Sequence, residues 1–271
     1  MKPEISVQLY SVRDNLTADY EKTLRAIHAM GFNIVETAGF PGTTFEKAKA
    51  LFKKLNLTSP TCHCRLPIGD DKNKVIEDVL ALGGKYLFTG CSPKGKEDFS
   101  SIDAIKAVAE VYTNAADFAS KYGIQVGCHN HGWEMADVNG KAAYKYFLEN
   151  TPETVLWEAD TFWVAFGGRN PTDFITELGK RGKAVHFKDG LLAKKEVFKA
   201  DTINGIQVVT SNEKPFKPAG TADVDLQGAS AAAKFAEYAV IELDSYDANI
   251  MDAIRQSYNY LCKSGIASGR L

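Results

Sequence analysis

Eight apolar runs of strand length, each followed by a stretch with helical spacing, recur along this 271-residue chain. The runs cover residues 5–9, 34–37, 59–64, 86–89, 125–129, 155–159, 184–188 and 239–243. The helical stretches cover 20–30, 44–55, 72–82, 102–121, 141–149, 172–180, 226–235 and 250–263. Such an alternation demands a parallel sheet with crossover helices, either closed into a barrel or left open and doubly wound. Eight pairs in this length match a single-domain (β/α)8 TIM barrel over residues 1–271, since such barrels run to about 250 residues. The open sheet would want a glycine-rich phosphate turn after its first strand. That position reads Tyr10-Ser11-Val12-Arg13-Asp14, and no Walker loop occurs elsewhere, so no nucleotide cofactor is expected. Helix stops at Gly31 and Gly123, and boundaries at Asn150-Thr151-Pro152 and Asn170-Pro171, punctuate the rhythm.

One stretch breaks the pattern. Residues 191–224, after the seventh strand, are too many for an ordinary connection and read as a loop with a small hairpin over the barrel mouth. It contains Lys194-Lys195 and the run 206–210, and it is either a surface insertion or a substrate lid. Lys and Arg number 32 against 34 Asp and Glu, a net charge of -2 that offers no general attraction for nucleic acid or an anionic membrane. No apolar run reaches membrane-span length and the first residues lack a signal-peptide core, so a cytoplasmic protein is expected. The five cysteines form no paired Cys-x-x-Cys knuckles and read as reduced thiols, with Cys62, Cys64 and Cys128 packed under helices.

In a barrel of this kind the active site is built where strands end. Polar residues gather there: Gln8 and Tyr10, Glu36, His63, then His129, Asn130 and His131 with Trp133 and Glu134. They continue with Glu158 and Asp160, with His186, Lys188 and Asp189, and with Glu242 and Asp244. Four of the five histidines fall at strand ends, only His28 sitting in a helix. Imidazoles and carboxylates on one mouth are the ligand set of one divalent ion: manganese, cobalt, zinc, iron or magnesium, with manganese or zinc favoured. Each residue also has a plainer reading. His63 and His186 could be hydrogen-bonded core histidines, Asp160 and Glu242 salt-bridge partners of Lys188, and Tyr10, Trp133, Trp163 and Phe187 core aromatics instead of an apolar wall of the mouth.

The chain resembles the sugar phosphate isomerase/epimerase superfamily, the xylose-isomerase-like barrels that include an apurinic endonuclease branch. The motifs carrying the resemblance run in order through Val7-Gln8-Leu9-Tyr10-Ser11-Val12-Arg13-Asp14, Gly31-Phe32-Asn33-Ile34-Val35-Glu36 and Cys128-His129-Asn130-His131-Gly132-Trp133-Glu134. They continue through Glu158-Ala159-Asp160-Thr161-Phe162-Trp163, Val185-His186-Phe187-Lys188-Asp189-Gly190, Gly220-Thr221-Ala222-Asp223-Val224-Asp225 and Val240-Ile241-Glu242-Leu243-Asp244. The resemblance implies metal ligands at Asp160, His186 and Glu242. Where epimerase members carry a fifth-strand glutamate this chain has His129, which makes His129 and Glu134 the candidates for a fourth ligand. It further implies a homo-oligomer, a state common in the family.

The implied reaction is metal-dependent isomerisation or epimerisation of a ketose or keto-sugar through an enediolate, with Glu242 as combined ligand and base. Lys188 and His131 would assist as electrophile and proton shuttle. Gln8, Tyr10, Glu36, His63, Trp133 and Trp163 would bind the sugar. The departure at His129 leaves open a lyase or dehydratase, or a hydrolase-type elimination on a 3-keto-glycoside or inosose-like substrate. A non-catalytic sugar-binding barrel and a DNA repair endonuclease are the readings from other classes; the latter would need more histidine ligands and a basic groove. A phosphate on the substrate finds no arginine cluster in the sequence, where Arg13, Arg65, Arg169 and Arg181 are scattered.

Overall fold

A computed structural model describes residues 2–90, 92–192, 200–203, 206–209 and 214–270. Eight strands form one sheet: β1 (Glu4–Val7), β2 (Ile34–Thr37), β3 (Thr58–His63), β4 (Tyr86–Thr89), β5 (Gln125–His129), β6 (Leu156–Asp160), β7 (Gly182–His186) and β8 (Tyr238–Ile241). Every paired neighbour is parallel, from β2 through β3 to β8 and on to β1. A parallel bridge between Gln8 and Glu36 closes the ring between β1 and β2. The chain is therefore the barrel expected from its eight runs, and each strand lies within two residues of its expected position.

Alternation along the strands sorts side chains into two cores. Outward residues such as Val35, Leu87, Val126 and Val185 pack against the helices in the main core. Inward residues Tyr86, Phe88, Leu156 and Ala184 make a separate apolar plug inside the barrel. A Cβ on Gly127 would lie 2.6 Å from the Phe88 ring, so this position stays bare to admit the ring. The plug fills the barrel below and leaves its upper layer to polar side chains.

The helices follow the apolar stripes. The longest, Ile102–Ser120, starts at Ser101, whose hydroxyl accepts the Ala104 N–H, and buries Ile105, Val108, Ala109, Tyr112, Ala115, Ala116 and Ala119. Gly31 and Gly123 follow their helices at φ of +110° and +76°, the conformation the sequence assigns them. Asn170 caps Pro171–Leu178 by accepting from the Thr172 and Asp173 N–H groups. Two helices of six residues, Arg13–Ala18 and Thr161–Phe166, are too short to show a period in the sequence. Among the described residues no helix is long and apolar enough to cross a membrane.

The insertion after β7 contains the expected hairpin, Ala200–Ile203 against Ile206–Val209. Lys194, Lys195 and Thr210 lie outside the described residues, as does Cys91. Its return is fixed by Asp189, whose Oδ2 accepts the N–H groups of Gly220, Thr221 and Ala222 at 2.9–3.0 Å, while Oδ1 takes those of Gly190 and Val224. Five backbone donors on one buried carboxylate make a strong anchor, because charge-assisted bonds are worth more than neutral ones. Asp189→Ala is expected to lower stability by about 3 kcal/mol in urea denaturation, with the loss confined to the insertion if proteolysis cuts there first.

Candidate functional site

Over the plug, the strand ends place imidazoles and carboxylates in one buried layer. Gln8, Glu36, Glu158, Asp160 and His186 are fully buried, and His129, His131, Lys188 and Glu242 nearly so. Two overlapping groups have ligand atoms within 4.8 Å of one another. One consists of His129, Asp160, His186 and Glu242, the other of His63, His129, Glu158 and His186. His186 sits at their junction: its Nδ1 is 2.8 Å from Glu242 Oε2 and its Nε2 2.7 Å from Glu36 Oε1. Gln8 Nε2 donates to the same Glu36 oxygen at 2.7 Å, so the residues that close the barrel also orient this ring.

Among the described residues Lys188 is the one lysine buried in the layer. Its Nζ contacts Asp160 Oδ2 at 2.8 Å, Glu242 Oε2 at 2.6 Å and Asp244 Oδ1 at 2.7 Å. Burial works against its charge, but the three carboxylates overcome this and hold it firmly protonated. Burial likewise raises the Glu242 carboxyl, and Lys188 and His186 more than reverse the effect, keeping it well below the usual carboxylate range. For His186 burial opposes the charged ring, while Glu158, Glu36 and Glu242 outweigh it and push the pKa up. His129 goes the other way, down to about 4, because burial dominates its environment. Burial also takes His131 well below its usual value. Both rings are therefore neutral at pH 7 and able to ligate or relay protons.

A cavity of about 440 Å³ opens above this layer, lined among others by Tyr10, His63, His129, His131, Trp163, Lys188, Glu242 and Asp244. Of the residues the sequence assigns to binding, Tyr10, His63 and Trp163 face it, whereas Gln8 and Glu36 lie beneath the cluster. Trp133 stacks on the His131 ring with centroids 4.3 Å apart and so reaches the cavity only through that histidine. The chemical candidates Glu242, His131 and Lys188 all line it.

Glu134 is not brought to either ligand group. It sits in the turn Trp133–Met135 after β5, where its Oε2 accepts the His131 N–H at 2.8 Å. Burial there pushes its carboxyl up to about 8, against the lowering effect of the backbone donors. Between pH 4.5 and 8 the folded chain thus keeps a proton that the unfolded chain has lost. The stabilising contribution is complete below pH 4.5 and disappears as pH rises to about 8. Glu134→Gln keeps the acceptor without the titration, so the variant should gain on the wild type by on the order of 3 kcal/mol between pH 5 and 8.5 in urea midpoints.

Several residues gain a place that the sequence did not supply. Glu158, a strand-end carboxylate without an assigned role, is the point on which three imidazoles converge: His63 Nε2 in close contact, His129 Nδ1 at 3.1 Å and His186 Nε2 at 3.1 Å. Period-2 spacing from Asp160 was the signal for it. Folding also brings Arg13 and Arg65 to the cavity wall, correcting their scattered appearance, while Arg169 and Arg181 serve backbone carbonyls elsewhere. Arg13 lies over the Tyr10 ring at 4.1 Å, and Arg65 pairs with Asp71 at 2.8 Å. Cys62 and Cys128 are buried as expected, but Cys64, one residue beyond β3, escapes the alternation and reaches the cavity wall. None of the four described cysteines is paired.

No family model matches the chain, and no curated protein does. Solved structures do. A sugar phosphate isomerase/epimerase from Parabacteroides distasonis is 20% identical with a TM-score of 0.72, covering 99% of this chain and 96% of that one. The probable 3-DHS dehydratase AsbF involved in petrobactin synthesis, from Bacillus anthracis, is 16% identical with a TM-score of 0.72, covering 95% and 98%. The IOLI protein with a bound zinc atom is 15% identical with a TM-score of 0.67, covering 97% of both chains. At these identities the likeness shows a shared fold, the (β/α)8 barrel.

Proposed function

We propose that the protein is a divalent-metal-dependent sugar isomerase or epimerase acting on a ketose or keto-sugar through an enediolate. The observation that carries this reading is the convergence of Asp160, His186 and Glu242, with His129 beside them, under a cavity of sugar size. The donor set fits a metal: it mixes imidazole nitrogen with carboxylate oxygen, and the neighbouring carboxylates leave Glu36 Oε2 and Glu158 Oε1 buried without hydrogen-bond partners. When bound, the ion would stabilise the negative charge that develops on adjacent oxygens of a hydroxy-ketone.

The remaining steps belong to this chain's own side chains. Glu242, ionised and lining the cavity, takes the proton from the carbon next to the carbonyl. Its Oε2 is fixed by His186 and Lys188, which leaves Oε1 as the oxygen not held by these partners. The Lys188 ammonium offsets the carboxylates around the developing negative charge. His131, neutral and with its Nδ1 buried without a partner, moves a proton between substrate oxygens or returns it to carbon. Trp163 and Tyr10 present apolar surface to a sugar face.

The imidazole at the end of β5 favours a second reading, elimination. A carboxylate pair flanking the reacting carbon would serve reversible epimerisation, whereas neutral His129 and His131 suit protonation of a departing hydroxyl or glycosyloxy group. A dehydratase among the structural neighbours supports this reading alongside the isomerase. Incubating the metal-loaded protein in deuterium oxide with a panel of ketoses and keto-glycosides, followed by NMR, tests both. Solvent deuterium at carbon with a new epimer or aldose marks the isomerase, and loss of the leaving group marks the lyase. No exchange into any sugar would sink the enediolate reading.

A further inference from the structure

Folding gathers positive charge on the wall of the cavity above the polar layer. Arg13, Arg65 and Lys214 all line it. The two carboxylates of the lining, Glu242 and Asp244, are both held by Lys188, at 2.6 and 2.7 Å. Arg65 is exposed and pairs with Asp71 at 2.8 Å. Arg13 differs from it in two ways. It is partly buried, and among the described residues no carboxylate pairs with it.

Arg13 is also pinned in place. Its Nη1 donates to the Tyr10 carbonyl at 2.9 Å, and the guanidinium lies 4.1 Å over the Tyr10 ring, a cation–π contact. Nε and Nη2 have no hydrogen-bond partner among the described residues. Together they form the edge of the fork that offers two parallel N–H groups to two oxygens in one plane. A guanidinium already immobilised on a cavity wall loses little freedom when it meets a ligand, so its selectivity is built in before binding.

We propose that the substrate is a keto-sugar acid, its carboxylate bound by Nε and Nη2 of Arg13 while its hydroxy-ketone end lies on Asp160, His186 and Glu242. The assignment rests on the enediolate reading above and adds a recognition site to it. Tyr10 joins the two ends. Burial raises its hydroxyl pKa, and the charges acting on it are those of Arg13 on one hand and of Asp244, Glu242 and Lys188 on the other. Arg13 therefore stands one side chain away from the chemical groups, within the span of a sugar in a cavity of about 440 Å³. A carboxylate fits better than a phosphate because one planar edge satisfies it. A tetrahedral dianion would want further donors, and the second guanidinium on the wall is engaged with Asp71.

Isothermal titration calorimetry of the metal-loaded protein with D-fructose, D-fructuronate and D-fructose 6-phosphate compares one ketose skeleton ending in a hydroxyl, a carboxylate or a phosphate. At low salt fructuronate is expected to bind about 10–100-fold more tightly than fructose, the effect of hydrogen bonds to a charged group, with the phosphate between them. Arg13→Gln should remove most of that advantage. Arg13→Lys, which keeps the charge without the fork, should retain only part of it. Circular dichroism melts identify a variant that fails to fold, and the wild-type comparison stands without them. Repeated at high salt, it should show a smaller advantage. Equal affinity for fructuronate and fructose in the wild type would overturn the proposal. So would an advantage that Arg13→Gln leaves intact, since the metal would then be holding the carboxylate. An Arg13-dependent preference for the phosphate would overturn the sugar-acid assignment. Deuterium exchange run alongside separates the subsite from the enediolate chemistry. Exchange into fructose without tighter binding of the acid would remove the subsite and leave the isomerase standing. Arg13-dependent binding of fructuronate with no exchange into any of the three would support the subsite and count against the enediolate.

Discussion

Glu242→Gln is expected to lower turnover by about 10²–10⁴-fold, the range associated with a positioned acid or base. The two side chains have the same shape, so His186 Nδ1 and Lys188 Nζ, at 2.8 and 2.6 Å, can still meet an oxygen at this position. What the amide cannot do is accept a proton from carbon. The loss should therefore fall on kcat with KM little changed, the pattern of an interaction made in the transition state. A variant that has lost only its metal would look different, because added metal would restore it. Wild-type turnover in Glu242→Gln would remove this residue as the base. Asp244→Asn is the natural comparison: that carboxylate shares Lys188 at 2.7 Å and also lines the cavity, but it stands outside both ligand groups.

The fold was legible because strand and helix periods differ, and the eight runs announce themselves whatever the tertiary context. The same period explains why His63, His129, His186 and the pair Glu158 and Asp160 could be placed inward from sequence: each occupies an alternate position on its strand. Legibility stopped where the strands stop. Glu134 is held in a short turn by the His131 N–H, and no spacing rule foretells which way a turn residue faces. Arg13 and Arg65 line one cavity only because β1 and β3, which precede them, flank β2 in the closed ring. Trp163 faces the cavity as expected, but the six-residue helix that carries it starts at a strand-end aspartate and is too short for any period to register. The role of Glu158 was hidden for another reason: it depends on three histidines from three other strands, a constellation that exists only after closure.

Asp160→Asn is the sharpest test of the metal ligands because the backbone clamp and helix cap at this residue do not depend on the charge. The backbone at this residue is clamped by Asn130, whose Oδ1 accepts the Asp160 N–H at 3.0 Å and the Trp157 indole N–H at 3.2 Å. Asp160 Oδ1 accepts the Trp163 N–H at 2.9 Å and so starts the helix Thr161–Phe166, a task asparagine performs equally well. The substitution falls on Oδ2, which faces Lys188 at 2.8 Å and belongs with the ligands His186 and Glu242. An amide NH2 there would oppose the ammonium and offer no charge to a cation. Metal affinity is expected to fall by more than the ~10–100-fold typical of outer-shell losses, and turnover to background. The melting temperature measured without metal should stay within a few degrees of the wild type, since the cap and the Asn130 clamp remain. Unchanged metal content in a folded Asp160→Asn protein would place the ion elsewhere and leave Asp160 as a helix cap paired with Lys188.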